Sequence, residues 1–309
     1  MAAVPGTDVM SPVGVTLADL IRLKPAGETI RLSTPRIRAS AIGGHLSPFK
    51  GRGVEFDESR PYQAGDDLRT IDWRVTARTG KPHTKVFREE RNRPVFLWVD
   101  MRQSMQFATR GAFKSVRAAE FAGLLSWSAI GHGDQLGGLV VNDAESDELR
   151  PRLGRRAALR LLQLVARQSE TANLGGASTT GATAEALLSM TRVTRPGSML
   201  FLLSDFADLT GEPERHIRQL AARSDVFLVH IYDPIEAELP PPGRYRVRLG
   251  QETFTLDTGL EGLRQRHREV FAEKRARLTN LAGLAGVRLI ESLTTDDPHR
   301  VLHRYFSRA

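Results

Sequence analysis

Two short apolar runs end on carboxylates, and they constrain the fold more than any other feature of this chain. Val95-Phe96-Leu97-Trp98-Val99 runs into Asp100, and Met199-Leu200-Phe201-Leu202-Leu203 runs into Ser204-Asp205. Apolar runs without alternation are what strands covered on both faces require, and such strands belong to parallel sheets flanked by helices. Sheets of that kind place their sites outside the carboxyl ends of the strands. Asp100 and Ser204-Asp205 therefore stand where a site is expected.

The segments between and after these runs change to helical periodicity. Phe113, Val116, Ala119, Ala122, Leu125 and Ala129 recur at helical spacing over 113–130. Gly133-Asp134 turns the chain into a strand over 135–141. Helices are expected over 155–168 and over 183–194, the latter stopped by Pro196-Gly197. A helix over 212–222 and a strand over 226–231 follow. Strands alternating with helices imply right-handed parallel crossovers. Pro240-Pro241-Pro242-Gly243 is a break. Beyond it the pattern predicts a hairpin (245–249 with 253–256), a long basic helix over 260–284, a final strand over 287–290 and a final helix over 298–306.

Three regions are expected: a flexible N-terminal segment over 1–27, with a short helix near Leu17–Leu23; an extension over 28–93; and the α/β domain over 94–309 with its C-terminal elaboration. There is no cysteine, which excludes disulfides and thiolate metal sites. No apolar run approaches the roughly 20 residues of a membrane span, and the N-terminus lacks the basic flank and apolar core of a signal peptide. The expected location is the cytoplasm. The net charge is +8. The basic residues are scattered among acidic ones, as in Arg88-Glu89-Glu90-Arg91, and no aromatic ladder accompanies them, so nucleic acid is not the expected partner.

The densest block of special residues precedes the first strand: Glu55-Phe56, Arg60, Tyr62, Gly65-Asp66-Asp67, Arg69, Ile71-Asp72-Trp73 and Ala77-Arg78, leading into Asp100 to Met105. This block resembles the bacterial family called domain of unknown function fifty-eight, whose core is similar to a von Willebrand factor A domain. The resemblance covers about residues 40 to 230. It implies a doubly wound, mainly parallel sheet with a β-rich N-terminal extension and a C-terminal hairpin and helices.

A von Willebrand A domain often binds one divalent cation through an Asp-x-Ser-x-Ser loop, a threonine and a later aspartate. The resemblance carries that pattern onto Asp100, Ser104 and Asp205; the threonine is left open among Thr179, Thr180 and Thr183. Arg102 stands where the middle serine would be. A guanidinium fork neutralises carboxylates without an ion and repels a divalent one. The expectation is a metal-free site in which Arg102 pairs with Asp100 or Asp205, with magnesium bound only if Arg102 points away. No cofactor is expected.

Within the block, Tyr62, Asp66, Asp67, Arg69, Asp72, Trp73 and Arg78 read either as a recognition surface or as a clamp of carboxylate–arginine pairs, with Asp72 and Arg78 expected to be partly buried and paired. The glycine pairs match neither a P-loop nor a dinucleotide fingerprint, and the histidines are dispersed. The resemblance implies a non-enzymatic adaptor of a MoxR-type AAA+ ATPase acting on a client protein. The expected contact is a rim of Asp100, Arg102, Ser104 and Asp205. The alternatives are a metal-dependent hydrolase or nuclease using the signature carboxylates, and a basic nucleic-acid-binding protein.

Overall fold

The computed structural model describes residues 10–32, 54–63, 70–89, 93–171, 182–249 and 252–308. The chain divides into two compact units, residues 1–37 with 93–309, and residues 38–92.

The larger unit is built on a six-stranded sheet. Its strands are β3 (Pro94–Asp100), β4 (Gln135–Val141), β5 (Ser146–Arg152), β6 (Met199–Ser204), β7 (Asp225–Tyr232) and β10 (Val287–Leu293), in spatial order β10-β7-β6-β3-β4-β5. All neighbours pair in parallel except β4 and β5, which are antiparallel. The mainly parallel, doubly wound sheet is the one the sequence predicts.

Alternate residues of each strand feed opposite cores, as the period of two requires. Val95, Leu97, Val99, Phe201, Phe227 and Val229 pack under helices α1 (Leu17–Arg22), α4 (Lys114–Gly131), α5 (Arg155–Thr171) and α10 (Pro298–Arg308). Phe96, Trp98, Leu200, Leu202, Val226 and Leu228 pack under α6 (Ala182–Val193), α7 (Glu212–Ala221) and α9 (Glu261–Ala282). This two-sided burial is why the strand sequences are apolar throughout.

Strand β5 went unforeseen. Its sequence, SDELRPR, is polar, and only Leu149 is buried. It lies at the sheet edge, where Pro151 and charged residues blunt further pairing. Its partner β4 carries Gly137, where an added Cβ would sit 2.7 Å from the Leu149 carbonyl oxygen. Glycine there is what lets the edge strand approach.

The expectation of a flexible segment over 1–27 is corrected for residues 10–27; residues 1–9 lie outside the described residues. Thr16 caps α1 in a reciprocal box with Asp19. Leu20 is fully buried, and the Trp127 indole N–H donates to its carbonyl at 2.9 Å. Helix α2 (Lys24–Glu28) lies against α4 at Gly27, where a Cβ would come within 2.7 Å of the Trp127 Cβ. Ile30 is buried in the same core and Ser128 donates to its carbonyl, so the first helices and residues 29–32 belong to the larger unit. Helical spacing of Val15, Leu20 and Leu23 was too short a signal to announce docking.

The C-terminal part follows the predicted order: β8 (Arg244–Leu249) and β9 (Glu252–Asp257) form an antiparallel hairpin, α9 follows, β10 joins β7 in parallel, and α10 closes the chain.

The smaller unit holds an antiparallel pair, β1 (Val54–Pro61) and β2 (His83–Glu89), with a register shift between Phe56 and Glu58. Between them lies α3 (Trp73–Thr79). Asp72 caps it, accepting from the Arg74 and Val75 N–H groups, and Gly80 ends it in the left-handed conformation.

Candidate functional site

Strands β3 and β6 end side by side, so Asp100, Ser204 and Asp205 arrive together at the carboxyl edge of the sheet. Asp100 is fully buried and Arg102 is 4% exposed. The guanidinium grips the Asp100 carboxylate in a fork: Nε donates to Oδ1 at 2.9 Å and Nη2 to Oδ2 at 2.7 Å. The Arg102 backbone N–H donates to Oδ1, and the Ser204 hydroxyl donates to Oδ2 at 2.7 Å. The free side of the guanidinium reaches Asp208, with Nη1 to Oδ2 at 3.0 Å. Thr183 donates to the other Asp208 oxygen at 2.6 Å. Burial alone would lower the Arg102 pKa, but its bonds to Asp100 and Asp208 and their charges raise it instead. Burial would raise the Asp208 pKa; the bonds from Arg102 and Thr183 hold it below the usual carboxylate range.

Asp205 belongs to a second ionic group. Lys114, the first residue of α4, is 2% exposed and donates to Asp205 Oδ2 at 2.7 Å and to Glu236 Oε1 at 2.9 Å. A lysine in the first turn of a helix opposes the macrodipole, so its position depends on those two carboxylates. Glu236 is itself fixed. With Asp233 it forms the capping box of α8 (Pro234–Ala237), its Oε2 accepting from the Asp233 N–H at 2.8 Å. Asp233 also accepts from Thr109 and Thr294, which ties the loop after β3 and the end of β10 to the end of β7. Lys274 of α9 donates to the Asp205 carbonyl at 3.2 Å. Burial would raise the Asp205 pKa, but the Lys114 charge and hydrogen bond lower it; the same contacts raise the pKa of Lys114 against its own burial.

The turn between the two groups is strained. Phe206 has φ 52°, the one non-glycine residue with positive φ among the described residues. Its N–H donates to the Ser204 hydroxyl, and its buried ring lies 6.4 Å from Trp98 and 6.3 Å from His230. A left-handed non-glycine costs of order 1 kcal/mol, and packing of this kind is what sustains it. His230 is buried, stacked on Tyr232 at 4.9 Å, with both ring nitrogens lacking a hydrogen-bond partner. Burial first, then the Lys274 charge, push its pKa down to about 3. It is a neutral imidazole.

The divalent ion that the von Willebrand A pattern implies does not fit these residues. A carboxylate has about four lone-pair positions. Those of Asp100 accept from the Arg102 backbone N–H, Nε and Nη2 and from Ser204. No oxygen lone pair is left for a metal, and the guanidinium occupies its place.

The expected partner-binding rim is corrected by the same geometry. Asp100, Arg102 and Asp205 are buried, and the Arg102 guanidinium makes four bonds to Asp100 and Asp208. It pairs with Asp100 as one alternative required, but not with Asp205, which Lys114 takes. Ser104 is half-buried and bonds to none of these carboxylates. Of the three threonines, Thr183 lines the site through Asp208; Thr179 and Thr180 lie outside the described residues. Sequence reasoning missed Asp208, Lys114, Glu236, Lys274 and His230.

In the smaller unit, Asp72 is buried; besides capping α3 it accepts from the Ser59 hydroxyl at 2.8 Å. Arg78 is exposed and pairs with no carboxylate among the described residues, against the expectation of a buried pair. Tyr62 is half-buried, its N–H donating to the Pro82 carbonyl. Trp73 is 71% exposed. Asp66, Asp67 and Arg69 lie outside the described residues. Among the described residues no group of histidine, aspartate and glutamate side chains is arranged to hold a metal ion.

Comparison with known proteins places this geometry in a family. The family model described as "Protein of unknown function DUF58" matches residues 58–277. Uncharacterized proteins of Mycobacterium bovis and Mycobacterium tuberculosis are 34% identical over 201 residues, 65% of this chain and 62% of theirs. The chain thus spans less than two thirds of the length of these relatives. Among solved structures, a conserved hypothetical protein BatB from Bacteroides thetaiotaomicron is 16% identical with a TM-score of 0.43, over 70% of this chain and 98% of that one. An aerotolerance-related membrane protein from Bacteroides fragilis is 16% identical with a TM-score of 0.45, over 70% and 97%. The expectation of a cytoplasmic protein is not carried further, since this similar structure is described as a membrane protein. No helix among the described residues is long and apolar enough to cross a membrane.

Proposed function

Because the chain belongs to the family described as protein of unknown function DUF58, with a von Willebrand factor A-like core, we propose that it is a non-enzymatic protein-interaction module that serves a MoxR-type AAA+ ATPase in the assembly or maturation of a client protein. The observation that carries this reading is Trp73. It stands 71% exposed at the first turn of α3. Arg74, Arg78 and Lys81 are exposed beside it, and none pairs with a carboxylate among the described residues. An indole held in water next to unpaired cations has the composition of a hot spot for a partner with acidic and apolar side chains.

The carboxyl edge supports the same reading from the other side. Its carboxylates are neutralised internally by Arg102 and Lys114, so capture of a partner through a shared ion, and direct pairing of Arg102 with a partner carboxylate, both fall away. Recognition then passes to a surface that is open. The test is co-purification with an ATP-hydrolysis-deficient MoxR-type ATPase. Trp73→Ala should keep the fold, read by circular dichroism, and lose the complex. Retention of the complex by a folded Trp73→Ala protein would move the interface away from α3.

A further inference from the structure

The opposite end of the sheet carries the reverse arrangement of charge. At the amino ends of β3 and β4, beside the end of β5 and the C-terminus of α6, lies a cavity of about 470 Å³ lined by Arg150, Arg152, Arg192 and Arg195, with Gln135, Pro94, Pro151 and Val193. No carboxylate lines it among the described residues.

Several arginines elsewhere on the molecule are held by an acidic neighbour. Arg117, Arg215, Arg268 and Arg275 each lie within 3.0 Å of a glutamate. Arg152, Arg192 and Arg195 have no acidic partner among the described residues, and Arg150 has only Glu148 at 3.8 Å. Two further guanidiniums sit at the amino edges of strands with buried N–H groups that lack a partner, Arg93 Nη1 and Arg223 Nε. Like charges gathered in this way repel at low salt, and an entering anion relieves that repulsion. The α6 C-terminus offsets part of it, since Arg192 and Arg195 stand at the negative end of the helix dipole.

We propose that this cavity is a binding site for an oligophosphate group, either free or carried on a nucleotide. Guanidinium forks match phosphate oxygens in pairs, and several of them around one cavity suit adjacent phosphates better than a single carboxylate. Pro94, Pro151 and Val193 give the cavity an apolar wall against which a base can lie. The site is independent of the α3 surface and of any ATPase.

Isothermal titration of the full chain alone with inorganic triphosphate and with ATP tests this. Both should bind with an affinity that falls as salt rises. Arg192→Gln with Arg195→Gln should weaken binding about tenfold or more, as loss of charge-assisted bonds does. Arg244→Gln with Arg246→Gln, on the β8–β9 hairpin, is the control and should change nothing. Equal affinity for the two ligands assigns the site to the phosphates alone; tighter ATP binding adds the apolar wall. Absence of binding, equal loss in the control variant, or binding of a polyglutamate peptide but of neither phosphate would overturn the proposal.

Discussion

The two ends of one sheet handle charge in opposite ways. At the carboxyl edge, two cations and four carboxylates are folded into two closed groups: Arg102 with Asp100 and Asp208, Lys114 with Asp205 and Glu236. At the amino edge, arginines line an open cavity without acids among the described residues. The first arrangement specifies geometry: it locks the loop after β3, the strained turn at Phe206 and the α8 cap into one register. The second leaves its charge available. The sequence resemblance to a von Willebrand A domain leads one to expect an ion at the carboxyl edge, so charge availability here is inverted relative to that expectation.

The largest effect that sharpens this comparison comes from breaking one closed group. Removing one partner of a buried pair costs about 3–5 kcal/mol, because the other charge stays buried alone. Asp100→Ala, which orphans Arg102 on its inner side, and Asp205→Ala, which leaves Lys114 with only Glu236, should each lose about that much in urea denaturation. Lys114→Met combined with Asp205→Leu should recover most of it, since apolar replacement of a whole buried pair is often neutral. Single losses under 1 kcal/mol would mean that water reaches these charges, and the contrast between the edges would collapse.

The next effect is a pH dependence. His230 has a folded pKa of about 3, below its unfolded value of roughly 6.5. A depressed folded pKa means that protons bind the unfolded state more readily, so the contribution is complete above about pH 6.5 and is lost as pH falls toward 3. Between pH 7.5 and 5 the loss is about 2 kcal/mol by this linkage. His230→Phe, which keeps the ring stack on Tyr232 and Phe271, should flatten that part of the profile. A variant with the same acid slope as the parent would assign the slope to the carboxylates, among which Asp205 and Asp208 have lowered pKa values and lose their contribution only as pH falls below about 4.

How much of this could be read from the chain depends on how local each signal is. Asp100 and Ser204-Asp205 were legible because they terminate uninterrupted apolar runs, and Arg102 because it interrupts a known ligand spacing. Asp208 and Lys114 were not: one sits in a loop, FADLT, with no pattern, and the other looks like any lysine opening a helix. Their roles arise only when α4, β6 and α8 meet, at sequence separations of 91 and 122 residues for the two Lys114 bonds. His230 hid for the opposite reason: within VFLVHIY it reads as one polar residue in a strand, and nothing local says which core it enters. In the signature block Asp72 was identified, but its work is capping α3 and bonding Ser59, and Arg78 faces water.

A smaller effect tests whether the carboxyl edge can be reopened. Titration of the unmodified protein with Mg²⁺ should give no heat and no change in melting temperature, because Arg102 fills the lone pairs of Asp100. Arg102→Ser frees the two that Nε and Nη2 occupy and restores the hydroxyl of the ion-binding pattern beside Ser104, Thr183 and Asp208. The variant should be less stable without the ion and gain about 1.4 kcal/mol at ten times the dissociation constant. Magnesium stabilising the unmodified protein would show that the guanidinium yields to an ion, and the edge would be an ion site after all.

The smallest effect belongs to the amino edge, and it separates availability from stability. Arg152, Arg192 and Arg195 are exposed and make no ion pair among the described residues, so removing one of these charges breaks no ion pair there. Exposed substitutions away from such features stay within about 0.5 kcal/mol. Relief of like-charge repulsion should make the change slightly favourable at low salt and abolish it at high salt. Arg195→Gln should therefore leave the urea midpoint unchanged or raise it a little at low ionic strength, in the same assay in which Asp205→Ala loses several kcal/mol. A destabilisation above 1 kcal/mol would show that Arg195 has a structural partner. The two edges would then differ only in which residues hold them, and the open cavity would lose its claim to be a place where charge is kept for a ligand.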